Sequence, residues 1–127
     1  MESMSVLIVD ACERTRARLR DLLALHRGDG SQVHEARDLR EATAILARDA
    51  VRVVMLDVDT PAQDGLALLA SLRALGAERL LMVLTNDASE PRRRACVARG
   101  ADLFFDKSHE FERAIEIAVQ HALPVRA

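Results

Sequence analysis

Four residues stand where an apolar run of this chain gives out, and together they could handle a phosphoryl group. Asp10 follows Val6-Leu7-Ile8-Val9, Asp57 follows Val53-Val54-Met55-Leu56, and Thr85 follows the run from Leu80 to Leu84. Lys107 comes just after Leu103-Phe104-Phe105. Singly, each is as readily the polar punctuation of a buried strand. As a set they are two carboxylates, a hydroxyl and an ammonium. Phosphoryl transfer is governed by positioning and charge neutralisation. A carboxylate can serve as the nucleophile, and magnesium takes one or two carboxylates plus water and phosphate oxygens. A hydroxyl and a lysine could hold the remaining oxygens. Of the 18 basic residues only Lys107 is a lysine, which fits a site that needs a compact ammonium rather than a planar guanidinium.

The elements that must position these residues read as alternating strands and helices. The apolar runs are short, and Val6-Leu7-Ile8-Val9 is mostly β-branched, as strands buried on both faces often are. A weaker strand covers Val33 to Ala36. Between the strands, apolar residues recur at helical spacing: Leu19, Leu22, Leu23 and His26, with Gly28 and Gly30 as a stop; Leu39, Ala42, Ile45 and Leu46; and Leu66, Leu69 and Leu72, closing near Gly76. An arginine-rich helix spans Pro91 to Arg99, ended by Gly100, and Phe111, Ala114, Ile115, Ala118, Val119 and Ala122 form the cleanest amphipathic stripe. Pro61 and Gly65 punctuate the loop after the third strand. Five strands alternating with five helices predict an α/β fold, a doubly wound parallel sheet of strand order 2-1-3-4-5 in a three-layer sandwich. In such sheets ligands bind at the carboxyl ends of the strands, where all four residues fall.

Composition agrees with one domain over 1–127. Half the residues are hydrophobic and 30% charged, a globular balance, and with 2% aromatic residues the core must be Leu, Val, Ile and Ala. A formal net charge of -2 implies neither nucleic acid nor an anionic membrane as a partner. No apolar run nears the roughly 20 residues a membrane span needs, and the N-terminus lacks a signal-peptide pattern, so the expected location is cytoplasmic. Cys12 and Cys96 form no paired motif, and His26, His34, His109 and His121 have no metal-ligand spacing. Arg92-Arg93-Arg94 and Arg99 read first as a solvated basic face and second as a partner surface.

These blocks, in this order, resemble the receiver domains of two-component response regulators, the chemotaxis-regulator type included. Val6 to Asp10 looks like the family's first strand with its acidic end. Val54-Met55-Leu56-Asp57-Val58-Asp59-Thr60-Pro61, then Asp64-Gly65, looks like the phosphoacceptor segment. Val83-Leu84-Thr85 and Gly100 to Lys107 look like the fourth- and fifth-strand blocks. The resemblance covers essentially the whole chain; because the sequence ends at Pro124-Val125-Arg126-Ala127, soon after the last helix, a stand-alone domain with no output domain is expected. By it, Asp57 would accept a phosphoryl group from a sensor histidine kinase or phosphotransfer protein, and the chain would signal by contact with a downstream protein rather than turn over as an enzyme. Asp10, Asp57 and the backbone carbonyl of Asp59 would hold magnesium. Thr85 would move toward the phosphoryl oxygens, and Lys107 would pair first with Asp57 and then with the phosphoryl group. Phe104 falls where the family places an aromatic that turns inward on activation; a core-edge phenylalanine is the plainer reading.

Three positions depart from the family pattern. Ala11 stands where a second acid is usual, which predicts a weakened magnesium site unless Glu13 or the Asp59 side chain compensates; the soft sulfur of Cys12 is a poor substitute. Asn86 follows Thr85 where a small residue is common, and Ser108 follows Lys107 where proline is common. Ala11 leaves open a phosphorylation-independent pseudo-receiver, a binding module with a degenerate pocket. Asp57-Val58-Asp59 also mimics the paired aspartates of haloacid-dehalogenase-type phosphatases. Those enzymes carry the pair on the first strand of a longer core, with their threonine one position later than Thr60.

Overall fold

A computed structural model describes residues 5–26, 32–59, 64–76 and 78–122. In chain order the elements are β1 (Ser5–Val9), α1 (Glu13–Ala24), β2 (Gln32–Ala36), α2 (Leu39–Arg48), β3 (Val53–Asp57), α3 (Gly65–Ala74), β4 (Leu80–Thr85), α4 (Glu90–Ala98), β5 (Leu103–Asp106) and α5 (Phe111–Ala122). The strands form one sheet in the order β2-β1-β3-β4-β5, every pair parallel. This is the doubly wound, flavodoxin-like architecture that the alternating pattern predicts. Helix α1 ends at Ala24, so His26 lies beyond it, and Gly28, Gly30, Pro61 and residues 124–127 lie outside the described residues.

Period-two alternation within the apolar runs divides the core into two layers. Leu7, Val9, Val54, Leu56, Leu81 and Val83 face α2, α3 and α4, meeting Ile45, Leu69, Leu72 and Cys96. Val6, Ile8, Val53, Met55, Met82 and Leu84 face the other way and meet Leu19 and Leu23 of α1 and Ala114, Ile115 and Ala118 of α5. Strands covered on both faces need apolar residues at every position, which is why each run looks continuous in sequence. No helix among the described residues is long and apolar enough to cross a membrane.

Local signals set the helix starts nearest the strand ends. Asp64 caps α3 by accepting the Leu66 and Ala67 amides, and Ser89 caps α4 by accepting the Arg92 amide. Gly65 is required by space: a Cβ there would overlap the Val58 carbonyl. Gly100 closes α4 at φ +110°, a left-handed conformation that glycine adopts without penalty.

Candidate functional site at the strand carboxyl ends

The sheet order places β1 and β3 side by side, with β4 and β5 following beyond β3. Their ends are in register: Val9 pairs with Leu56, Asp57 with Leu84 and Thr85 with Asp106. The residues that leave these ends, Asp10, Asp57, Thr85 and Lys107, therefore gather at one edge of the molecule.

Lys107 is the centre of the cluster. Its Nζ donates to Asp57 Oδ2 at 2.8 Å and lies 3.7 Å from Asp10 Oδ2. The other oxygen of Asp57 accepts the backbone amide of Asp59 at 2.8 Å, so both Asp57 oxygens are oriented by donors. Asp10 Oδ1 accepts the Cys12 amide at 2.8 Å. Burial raises the Asp10 carboxyl above the ordinary aspartate range, although the Cys12 amide lowers it; the charge of Asp57 adds to the rise, and Lys107 opposes it. For Lys107, burial alone would lower the ammonium, but the hydrogen bond and charge of Asp57, with Asp10 and Asp59 behind them, raise it on balance.

Asp10 Oδ2 is buried without a hydrogen-bond partner. An orphaned, hard carboxylate oxygen beside a second carboxylate is what a hydrated magnesium ion accepts, so the residues present fit that ion. They fit it sparsely. Ala11 is exposed and brings no ligand, Glu13 is exposed on the first turn of α1, and among the described residues no three His, Cys, Asp or Glu side chains converge as a metal cluster. The Asp59 side chain, expected as one possible compensation, is engaged elsewhere. Its Oδ1 accepts the Thr85 hydroxyl and its Oδ2 the Asn86 amide, both at 2.6 Å.

Asn86 is exposed and contributes its backbone amide. Ser108 likewise donates its amide to Asp106 Oδ1, and no cis peptide bond occurs among the described residues. Phe104 is buried in the core layer that holds Val83 and Cys96, and the Arg93 guanidinium lies 5.0 Å from its ring centroid. Cys96 is buried and Cys12 exposed, both as free thiols.

Two arginines adjoin this cluster in ways their sequence positions alone did not indicate. Arg92 does not join a solvated basic face. Its Nη2 donates to the Val58 carbonyl at 3.0 Å and stands 3.7 Å from Asp59 Oδ1. Arg16 is buried, donates to the Asp10 carbonyl at 2.7 Å and pairs with Glu35 on β2. The signal for both was helical phase: Arg16 lies on the stripe of Leu19 and Leu23, and Arg92 lies one turn before Cys96, the buried residue of α4.

The response regulator receiver domain family matches residues 6–119. The chain belongs to this family. Among curated relatives, response regulator MprA of Mycolicibacterium vanbaalenii is 34% identical over 110 residues, 87% of this chain and 46% of the relative. MprA of Mycobacterium leprae is 34% identical over 112 residues, 88% of this chain and 48% of the relative. The receiver domain chain thus spans about half the length of the curated relatives it matches. Among solved structures, the chemotaxis protein CheY4 of Vibrio cholerae superposes with a TM-score of 0.80 at 23% identity, covering 94% of this chain and 98% of that one. A response regulator from Burkholderia pseudomallei, solved with a phosphorylated aspartic acid, calcium ion and citrate, gives 0.78 at 25% identity over 93% of this chain and 67% of that one. Receiver domains are signalling modules of two-component systems, and that is the class of this chain.

Proposed function

We propose that this receiver domain accepts a phosphoryl group on Asp57 from a histidine kinase or phosphotransfer protein and passes the signal on by contact with a protein partner. The observation that carries the reading is the Lys107 ammonium, bonded to Asp57 at 2.8 Å and facing Asp10 at 3.7 Å. Both oxygens of Asp57 are held by donors, one of them the Lys107 ammonium, which fixes its aim. The phosphorylated aspartic acid of the Burkholderia pseudomallei regulator supports the same chemistry here.

In the step itself, an Asp57 oxygen attacks phosphorus as the bond from phosphorus to the donor's imidazole nitrogen breaks, and the electron pair returns to that nitrogen. Lys107 offsets the charge of Asp57 before transfer and that of the phosphoryl oxygens after it. Thr85 donates its hydroxyl to a phosphoryl oxygen, which requires it to leave Asp59. Magnesium, when bound through Asp10, Asp57 and the Asp59 backbone carbonyl, supplies charge neutralisation between the carboxylates and the incoming group. Phe104 is the aromatic whose packing would carry the change outward. The reading implies a cytoplasmic setting and a protein, not nucleic acid or membrane, as the surface bound.

The test is phosphoryl uptake with and without magnesium, for wild type and Asp57→Asn. The asparagine keeps the shape of the pocket and should abolish uptake while the fold survives; label that persists in the variant would place the acceptor elsewhere. A phosphorylation-independent binding module is the second reading. The exposed Ala11 and the commitment of Thr85 to Asp59 favour it, and a pocket that fails to bind magnesium in titration would support it.

A further inference from the structure

We propose that the Asp59 side chain is a brake on phosphorylation, holding the Thr85 hydroxyl away from its phosphoryl-binding role. The proposal rests on the phosphoacceptor reading above. Thr85 is fully buried, and its hydroxyl donates to Asp59 Oδ1 at 2.6 Å, while Thr85 Oγ1 itself accepts the Asp87 amide at 3.0 Å. Asp59 Oδ2 takes the Asn86 amide at 2.6 Å, so one carboxylate holds two consecutive residues at the end of β4. These are short bonds to a charged acceptor, the stronger class of protein hydrogen bond.

Arg92 completes the arrangement. It reaches from α4, bonds the carbonyl of Val58 beside Asp57, and stands 3.7 Å from Asp59 Oδ1. Its charge offsets that of Asp59 in a pocket edge that already carries Asp10 and Asp57. Asp59 is thus a positioning residue. It touches Thr85 through its side chain, whereas its backbone amide, on Asp57, is a separate contact that substitution of the side chain leaves in place.

Releasing Thr85 requires breaking a hydrogen bond to a charged group, which corresponds to roughly a tenfold factor or more. Asp59→Ala should therefore raise the rate of label uptake from radiolabelled acetyl phosphate, in the presence of magnesium, by about tenfold. The same substitution in a Thr85→Val background should change the rate less than about twofold, because no hydroxyl remains to be freed. Equal acceleration in the two backgrounds would mean simple charge repulsion and would overturn the proposal, as would no acceleration in either. A second readout needs no phosphoryl group. In nitrogen-labelled NMR of the unphosphorylated protein, the Asn86 amide should be protected from exchange in wild type and Thr85→Val and lose that protection in Asp59→Ala. Equal exchange in wild type and Asp59→Ala would also overturn it. If none of the four proteins takes label while the Asn86 signature is as expected, the phosphoacceptor reading has failed, and the brake falls with it.

Discussion

Lys107 and Asp57, 50 positions apart in sequence, are joined by a 2.8 Å hydrogen bond at the carboxyl edge of the sheet. The bond exists because parallel pairing aligns the ends of β3, β4 and β5, and β5 delivers its lysine one residue past its own end. The same ammonium is the cation shared by two buried carboxylates, Asp10 and Asp57.

Lys107→Met should therefore destabilise the protein by about 1–3 kcal/mol, because it strands two partly desolvated carboxylates. The ammonium is raised above its ordinary value of 10.5 in the fold. Its stabilising contribution is therefore complete below pH 10.5 and is lost as pH rises through the folded-state value. Urea unfolding at neutral and strongly alkaline pH should show that loss in wild type and not in the variant.

Asp10 has the opposite sign from the usual carboxylate. Its pKa is raised above 3.8 in the fold, so the folded state favours its protonated form, and that stability is lost as pH rises from about 4 through the folded-state value. Asp10→Asn removes this slope, and its amide nitrogen can donate to Asp57. The variant should gain stability on the order of 1 kcal/mol in metal-free buffer at neutral pH while binding magnesium more weakly. Unfolding curves at acid and neutral pH, paired with a magnesium titration, check both halves.

Ala11→Asp adds a third carboxylate beside Asp10. It should tighten magnesium binding and speed phosphorylation of Asp57, and lower metal-free stability by about 1 kcal/mol. Magnesium should then recover the loss by mass action, since it binds the folded pocket alone. Thermal unfolding across a magnesium series, for wild type and variant together, is the measurement; equal affinities would contradict the expectation.

Gly65→Ala drives a Cβ into the Val58 carbonyl. Backbone atoms cannot turn aside as a side chain can, so the start of α3 must shift, at a cost of about 1–3 kcal/mol. Denaturant midpoints report the loss, and phosphoryl uptake should fall with it because Val58 adjoins Asp57.

The order of the elements, the sheet topology and the four strand-end residues were all legible in sequence. Continuous apolar runs, helical stripes and polar stops are local signals, and they agree with one another here. Directions of long polar side chains were not legible. The Arg92-Arg93-Arg94 run looks uniform as letters, yet Arg92 reaches Val58 and Arg93 covers Phe104. The Asp59 carboxylate could as well have faced the metal pocket. Its turn toward Thr85 and Asn86 depends on where β4 ends relative to β3, which is a tertiary fact.

The adjacency of Arg92 and Arg93 has a mechanical consequence. Consecutive residues on a helix are fixed at about 100° to one another, and here one grips the backbone beside Asp57 while the next lies over the Phe104 ring. Val58 follows the end of β3 and Phe104 lies in β5, so the first turn of α4 ties the segment after β3 to β5 through two adjacent guanidinium groups.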